Sequence, residues 1–295
     1  MFSSYPGILK SARFNPNRCV PLVFLVLSVF LPLIYNPFMP LVDKHAPGDF
    51  CWIELGTKDQ NAAKQFYASL FGWVANDMPM GPDSFYTIFR LDDRDCAAGY
   101  TLTPQEKGVP PHWNLYIAVE SADDAAHKAV QLGAKLLAPA FDVFDAGRMA
   151  VLQDPIGAVF TVWQANKNTG IGIVNEPGAL CWADLNTPDR GRASEFYSAL
   201  FGWTITPGEG KDASGYLHIK NGEKFIGGIP PADNVPPSWL IYIYVADVDA
   251  SSGMAKELGA NFYMPPTSLE GVGRLTVLAD PQGAVFAMFK ESARN

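Results

Sequence analysis

The segment FCWIELGTKDQNAAKQFYASLFGW, Phe50 to Trp73, returns as LCWADLNTPDRGRASEFYSALFGW, Leu180 to Trp203, with 12 of 24 positions identical at a constant offset of 130. A second pair, RMAVLQDPIGAVFTVWQ from Arg148 and RLTVLADPQGAVFAMFK from Arg274, shares 9 of 17 positions at an offset of 126. The chain is therefore a tandem duplication. Each copy is about 115 residues long, the size of one ordinary domain. The expected organisation is a leader over 1–45, a first domain over 46–166, a linker over 167–178 and a second domain over 179–291.

Composition agrees with two buried cores: 48% of the 295 residues are hydrophobic and 18% charged. A net charge of −8 without any Lys/Arg stripe repels phosphate backbones, so no nucleic-acid partner is expected. The four cysteines (Cys19, Cys51, Cys96, Cys181) form no CxxC and no disulfide spacing, and Cys51 and Cys181 are repeat equivalents. They read as buried free thiols.

The leader admits two readings. Cys19 to Tyr35, CVPLVFLVLSVFLPLIY, is uncharged and follows Lys10, Arg13 and Arg18, as a signal anchor would. Membrane association through residues 19–35 would follow, with the domains outside the cytoplasm. Its 17 residues fall short of the about 20 a span wants, and it contains Pro21 and Pro32. Alternatively, translation starts at Met39, because MPLVDKHAPGDF leads directly into the first strand, and the protein is then cytoplasmic.

Within each copy the hydrophobic period changes in a fixed order. Cys51 to Leu55 reads as a strand and Gln60 to Phe71 as a helix with Ala62, Phe66, Leu70 and Phe71 at helical spacing, ended by Gly72. Strand-like runs follow around Trp73, at Phe85 to Leu91 and at Ala97 to Leu102. The order then repeats with Trp113 to Val119, a helix Ala122 to Leu132, and runs at 135–137, 148–152 and 158–163. Each domain is thus two βαβββ modules and the chain holds four, an α+β architecture.

Paired modules with a D…A..FY..LFGW helix (Asp59 to Trp73, Asp189 to Trp203), a glycine-arginine turn (Gly147, Arg148; Gly273, Arg274) and a DP.GA.F ending (Asp154 to Phe160, Asp280 to Phe286) resemble the vicinal-oxygen-chelate superfamily of glyoxalase I, bleomycin-resistance proteins and extradiol dioxygenases. The resemblance covers residues 50 to 290 and is nearest to the two-domain glyoxalase-like branch. It implies two curved mixed sheets, each bent around a cleft.

In that superfamily the cleft usually holds a divalent metal. The resemblance puts Trp52 and Trp182 at the first-strand histidine, and Ala97 to Gly99 and Gly227 to Ile229 at the acidic ligand. His112 and Ser238 fall at the second-module ligand, and Thr161 and Ala287 at the final glutamate. Of these only His112 is a plausible ligand, whereas a catalytic zinc keeps about three protein ligands. Neither a metal nor another cofactor is expected.

What stands in their place is aromatic with a few polar groups, the composition of a small-molecule pocket. Cleft parity assigns Trp52, Glu54, His112, Asn114, Tyr116, Thr161 and Trp163 to the first domain, and Trp182, Asp184, Ser238, Tyr242, Tyr244 and Phe289 to the second. The competing reading is that these rings fill a closed cleft, above all in the second domain. Glu54 and His112 are expected to face each other across the first cleft, where the carboxylate would orient the imidazole as a general base or acid; an ordinary satisfied hydrogen bond is the alternative. Ser238 removes that histidine from the second domain. His127 reads as exposed on a helix, His45 lies in the leader, and His218 has no evident partner. Pro110–Pro111 and Pro236–Pro237 read as rigid lead-ins to strands.

Two function classes remain. One is a metal-free binding protein for a small aromatic or carbonyl compound. The other is a glyoxalase-like lyase, isomerase or hydroxylase-type enzyme acting through Glu54 and His112 or through an unusual metal site. The sequence leaves homodimerisation open.

Overall fold

The computed structural model describes residues 41–82, 84–208, 215–231 and 235–292. The first repeat runs β1 (Phe50–Thr57), α1 (Gln60–Phe71), β2 (Val74–Gly81), β3 (Ser84–Leu91), β4 (Arg94–Thr101), then β5 (His112–Ala118), α2 (Ala122–Gln131), β6 (Lys135–Val143), β7 (Gly147–Gln153) and β8 (Val159–Ala165). The second follows as β9 (Leu180–Asn186), α3 (Arg190–Phe201), β10 (Thr204–Pro207), β11 (Leu217–Asn221), β12 (Lys224–Ile229), β13 (Ser238–Tyr244), α4 (Val248–Glu257), β14 (Asn261–Leu269), β15 (Gly273–Ala279) and β16 (Val285–Glu291).

Each repeat folds into one open, mixed eight-stranded sheet, ordered β2-β3-β4-β1-β5-β8-β7-β6 in the first and identically in the second. The four βαβββ modules and the α+β class are therefore as the periodicity predicts. β1 pairs with β4 in parallel, which requires the α1 crossover, and with β5 antiparallel, so the two modules meet along the sheet's central seam.

The helix motif has a local cause at both ends. Asp59 accepts from the Ala62 N–H at 3.0 Å and caps α1, and Gly72 takes the left-handed φ of 74° that terminates it. Ala63, Phe66, Tyr67, Leu70 and Phe71 form its buried face. That face meets the other domain. Tyr67 donates from its hydroxyl to Asp280 Oδ2 at 3.1 Å, and Tyr197 donates to Asp154 Oδ2 at 3.0 Å, a reciprocal pair. The second oxygen of each aspartate accepts three turn amides, so both oxygens of these buried carboxyls are satisfied. Phe66 and Phe71 pack edge-on against Phe286, as Phe196 and Phe201 do against Phe160. One aromatic core thus runs through both domains.

The flanking segments are part of this body. Ile171 and Ile173 are buried, with the Ile171 amide bonded to the Cys51 carbonyl. Leu41 bridges to Ile173, and His45, expected in a leader, is buried with Nε2 donating to the Ile171 carbonyl at 2.9 Å. Asp49 accepts from Asn221 of the second domain at 2.8 Å. Among the described residues no helix is long and apolar enough to cross a membrane. The Cys19 to Tyr35 stretch and the Met39 start lie outside the described residues.

Candidate functional site

Residues directly opposite on paired strands share a face of the sheet, so register defines the cleft surface. Trp52 lies opposite Tyr116, Glu54 opposite both Asn114 and Ala98, Gly56 opposite His112 and Tyr100, and Tyr116 opposite Thr161. The sequence-predicted residues of the first domain therefore do share one face. β1 and β5 are hydrogen-bonded neighbours, however, so Glu54 and His112 lie on adjacent strands rather than across a cleft, and two residues out of register with each other.

The structure gives Glu54 and His112 different partners. Glu54 Oε1 accepts from the Tyr86 hydroxyl and Oε2 from the Tyr116 hydroxyl, both at 2.8 Å, and Asn114 adds a side-chain hydrogen bond. Trp52 Nε1 donates to the Tyr86 oxygen at 3.2 Å, so a chain of donors ends on the carboxylate. Burial pushes the Glu54 carboxyl above the usual carboxylate range, and the hydrogen bonds from Tyr116, Tyr86 and Asn114 pull it partly back. Burial beside this carboxylate holds both phenols well above their ordinary value. His112 instead places Nδ1 2.8 Å from the Pro110 carbonyl oxygen.

The second domain repeats the arrangement around a shorter acid. Asp184 Oδ1 accepts from Tyr216 at 2.6 Å and from Trp182 Nε1 at 2.9 Å, and Oδ2 accepts from Tyr242 at 2.7 Å. Burial again raises the carboxyl against these hydrogen bonds. Each domain thus carries a buried carboxylate caged by two tyrosines and a tryptophan. Tyr86 and Tyr216 were not singled out by parity, although they sit 130 positions apart, the same offset as the helix motif.

Exposure separates the two cages. Trp182, Asp184, Tyr216 and Tyr242 are all buried, and Trp182, Tyr242, Leu275 and Phe289 form an apolar cluster separate from the main core. Of the residues that parity assigns to the second cleft, Trp182, Asp184, Tyr242 and Phe289 are thus buried, while Ser238 and Tyr244 are half-buried. A Cβ at Gly228, the residue opposite Asp184 on β12, would overlap the Tyr216 hydroxyl, so only glycine admits that ring. In the first domain the equivalent position is Ala98, and Tyr86 stays half-buried, as do Asn114 and His112. Trp52, Tyr116, Thr161 and Trp163 are buried here and offer no open stacking platform. Trp163 Nε1 donates to the Asn168 carbonyl at 3.0 Å, and its ring covers Gly147, which explains the glycine of that turn.

At the mouth of the first cleft, His112, Tyr100 and Leu102 converge on Gly56. Tyr100 donates to Glu106 at 2.8 Å and ties down the following loop, under which Leu102, Pro104, Lys107 and Val109 line a surface cavity of about 340 Å³. Of the remaining histidines, His127 is exposed and His218 is buried between the Tyr216 and Phe225 rings. Cys51, Cys96 and Cys181 are free thiols; Cys51 and Cys181 donate to the Tyr116 and Tyr242 carbonyls.

The residues do not fit a divalent metal. Among the described residues no three His, Cys, Asp or Glu side chains converge. Trp52 stands beside Glu54, whose two oxygens are already taken by phenols.

The Glyoxalase/Bleomycin resistance protein/Dioxygenase superfamily profile matches residues 50–162, and a glyoxalase-like domain profile matches 182–289. The chain is 40% identical over 256 residues, 85% of its length, to 98% of "Putative glyoxylase CFP32" of Mycobacterium bovis. It is 31% identical over 265 residues, 83% of its length, to 94% of "Anthracycline biosynthesis protein DnrV" of Streptomyces peucetius. Among solved structures it resembles a Mn(II)-bound glyoxalase from Novosphingobium aromaticivorans with a TM-score of 0.59, 16% identity and 82% of each chain covered. It also resembles the 2,3-dioxygenase LapB of Pseudomonas sp. KL28, with a TM-score of 0.58, 13% identity and 85% and 96% covered. At these identities the structural likenesses speak for the fold.

Proposed function

The chain belongs to the glyoxalase/bleomycin-resistance/dioxygenase superfamily, and from that premise we propose that its first cleft binds a small aromatic or carbonyl-containing molecule without a metal. The observation that carries this reading is the asymmetry of the cages. The first leaves Tyr86 half-buried over its carboxylate with the polar Asn114 and His112 half-buried beside it, whereas the second buries Tyr216 over its own and places Leu240 and Ser238 at those two half-buried positions. A half-exposed polar cluster over an aromatic floor holds a ligand by apolar contact and fixes it by a few hydrogen bonds. The name of the Streptomyces relative, an anthracycline biosynthesis protein, supports an aromatic ligand.

The enzyme reading draws support from the name of the Mycobacterium relative, a glyoxylase. It would need Glu54 or His112 to exchange a proton with substrate. The carboxyl, raised by burial, suits an acid; His112, bonded to Pro110, would act independently of it.

Native mass spectrometry of the purified protein, followed by calorimetric titration of whatever copurifies, tests the binding reading. Asn114→Ala is expected to weaken binding about ten-fold, the size of one net hydrogen bond, with the melting temperature kept. Elemental analysis is expected to find no stoichiometric zinc, iron, nickel or manganese. One tightly bound metal per chain, lost on His112→Ala, would overturn the metal-free reading and favour the enzyme.

A further inference from the structure

The binding reading above leaves the ligand's polar group unspecified, and His112 supplies a constraint. Its Nδ1 lies 2.8 Å from the Pro110 carbonyl oxygen, which can only accept. A hydrogen bond at this distance therefore requires the proton on Nδ1. In the neutral ring Nε2 is then a bare lone pair, and among the described residues nothing donates to it. The ring stands half-buried at the mouth of the first cleft, on the same face as Asn114 and the Glu54 cage.

The position is built rather than incidental. A Cβ at Gly56 would come within 3.0 Å of His112 Cε1 and 3.1 Å of the Tyr100 hydroxyl, so the glycine makes room for the ring. The second domain keeps the proline carbonyl device, with Ser238 Oγ donating to the Pro236 carbonyl at 3.1 Å. It puts Asn186 where the first has Gly56, and Ser238 where the first has the His112 imidazole. The two Pro-Pro pairs thus do more than stiffen the chain: each presents the carbonyl that orients the first residue of the next strand.

We propose that the first cleft selects ligands bearing a hydroxyl, of the phenol or enol class, which donates its proton to Nε2 of His112 while the Pro110 carbonyl holds the ring in the accepting tautomer. Rings without a donor would still meet the aromatic floor but would lose this bond. The inference rests on the binding reading, and the comparison below separates the two.

Calorimetric titration with 2-naphthol, naphthalene and 2-methoxynaphthalene compares a neutral donor with two analogues that have none. The full chain is expected to bind 2-naphthol at least about ten-fold more tightly than either analogue, the size of one net hydrogen bond. His112→Phe, checked for an unchanged melting temperature, is expected to bring all three within about two-fold. Equal binding of the three by the unmodified protein would overturn the selection and leave the binding reading intact; binding of none would remove both. Long-range ¹⁵N–¹H spectra of histidine-labelled protein give a readout without any ligand or variant. The His112 ring is expected to carry its proton on Nδ1, and a neutral ring protonated on Nε2 instead would overturn the proposal.

Discussion

The two clefts are copies that have diverged at a few positions, and the difference between them shows how little change separates a half-buried polar cluster from a buried one. Both place a carboxylate at the centre of the sheet under two phenols. In the second, Gly228 lets Tyr216 close over the acid, Leu240 replaces Asn114, and Asn186 replaces Gly56 at the mouth. In the first, Ala98 stands in place of Gly228, Tyr86 is half-buried, and Asn114 and His112 remain within reach of solvent. The aspartate is one methylene shorter than Glu54 and takes the tryptophan N–H directly, an N–H that also reaches the Tyr216 hydroxyl at 2.9 Å, whereas Trp52 reaches only the tyrosine. The first cage keeps Tyr86, Asn114 and His112 half-buried; the second buries Tyr216 with Trp182, Asp184 and Tyr242.

The largest effect is expected at the glycine that closes the second cage. Gly228→Ala should cost about 3 kcal/mol of unfolding free energy, because the new methyl would overlap the Tyr216 hydroxyl in a packed interior. The reverse change, Ala98→Gly, should cost about 1 kcal/mol, the ordinary penalty of glycine in an ordered element. Urea titration of both variants measures the contrast, and a neutral Gly228→Ala would show that the second cage is not closed as described.

Removing one cage hydroxyl on each side comes next. Tyr216→Phe should cost about 2 kcal/mol, since it strips a donor from a carboxylate that water cannot reach, and Tyr86→Phe about 1 kcal/mol, since water can replace a half-buried phenol. Equal costs would mean that the two clefts are equally dry.

The pH dependence sharpens the same contrast. Burial raises both Glu54 and Asp184, so the folded protein holds their protons more tightly than the unfolded chain. This contribution to stability is fully present below the ordinary carboxylate range of about 4 and is lost as pH rises through the raised folded values. Glu54→Gln and Asp184→Asn should each flatten that part of the stability-versus-pH curve. His45 carries the opposite sign, because burial lowers it: its contribution is present above about 6.5 and is lost as pH falls through the depressed folded value. A stability curve that Asp184→Asn leaves unchanged would remove the buried charge from the account of the second cleft.

The smallest effect expected is a null one. Grafting the polar pair as Ser238→His with Leu240→Asn should give the second cleft no measurable affinity for a ligand of the first, because Tyr216 and Trp182 already occupy the space. A calorimetric signal from the graft, in a His112→Phe, Asn114→Ala background, would show that side-chain identity rather than closure sets the difference.

Much of this was legible in the sequence. The duplication, the alternation of periods and the capped α1 are local signals, since Asp59 and Gly72 act within one helix and a strand's parity follows from its own residues. Parity also identified Trp52, Glu54, Asn114 and Tyr116, and Trp182, Asp184 and Tyr242 in the second domain, as sharing a face. It did not reveal that Glu54 is paired with phenols instead of His112, because that depends on the antiparallel register of β1 and β5 and on a tyrosine from β3. Nor could composition tell a filled cleft from an open one: that turns on whether a glycine or an alanine stands opposite the acid, a matter of steric contact between strands.

The sequence by itself determined four modules, two domains and which side chains share a face, because periodicity and repeat offset are properties of the chain read in order. Only the tertiary structure decided that the family's most recognisable residues, Tyr67 with Asp280 and Tyr197 with Asp154, join the two domains rather than line a cleft. It also decided which cage keeps its tyrosine half-buried, Tyr86 in the first and not Tyr216 in the second. Both depend on groups from separate elements, 213 and 43 residues apart in the two tyrosine–aspartate pairs, where a hydrogen bond or an overlap exists only once the sheets have closed and the helices are wedged between them.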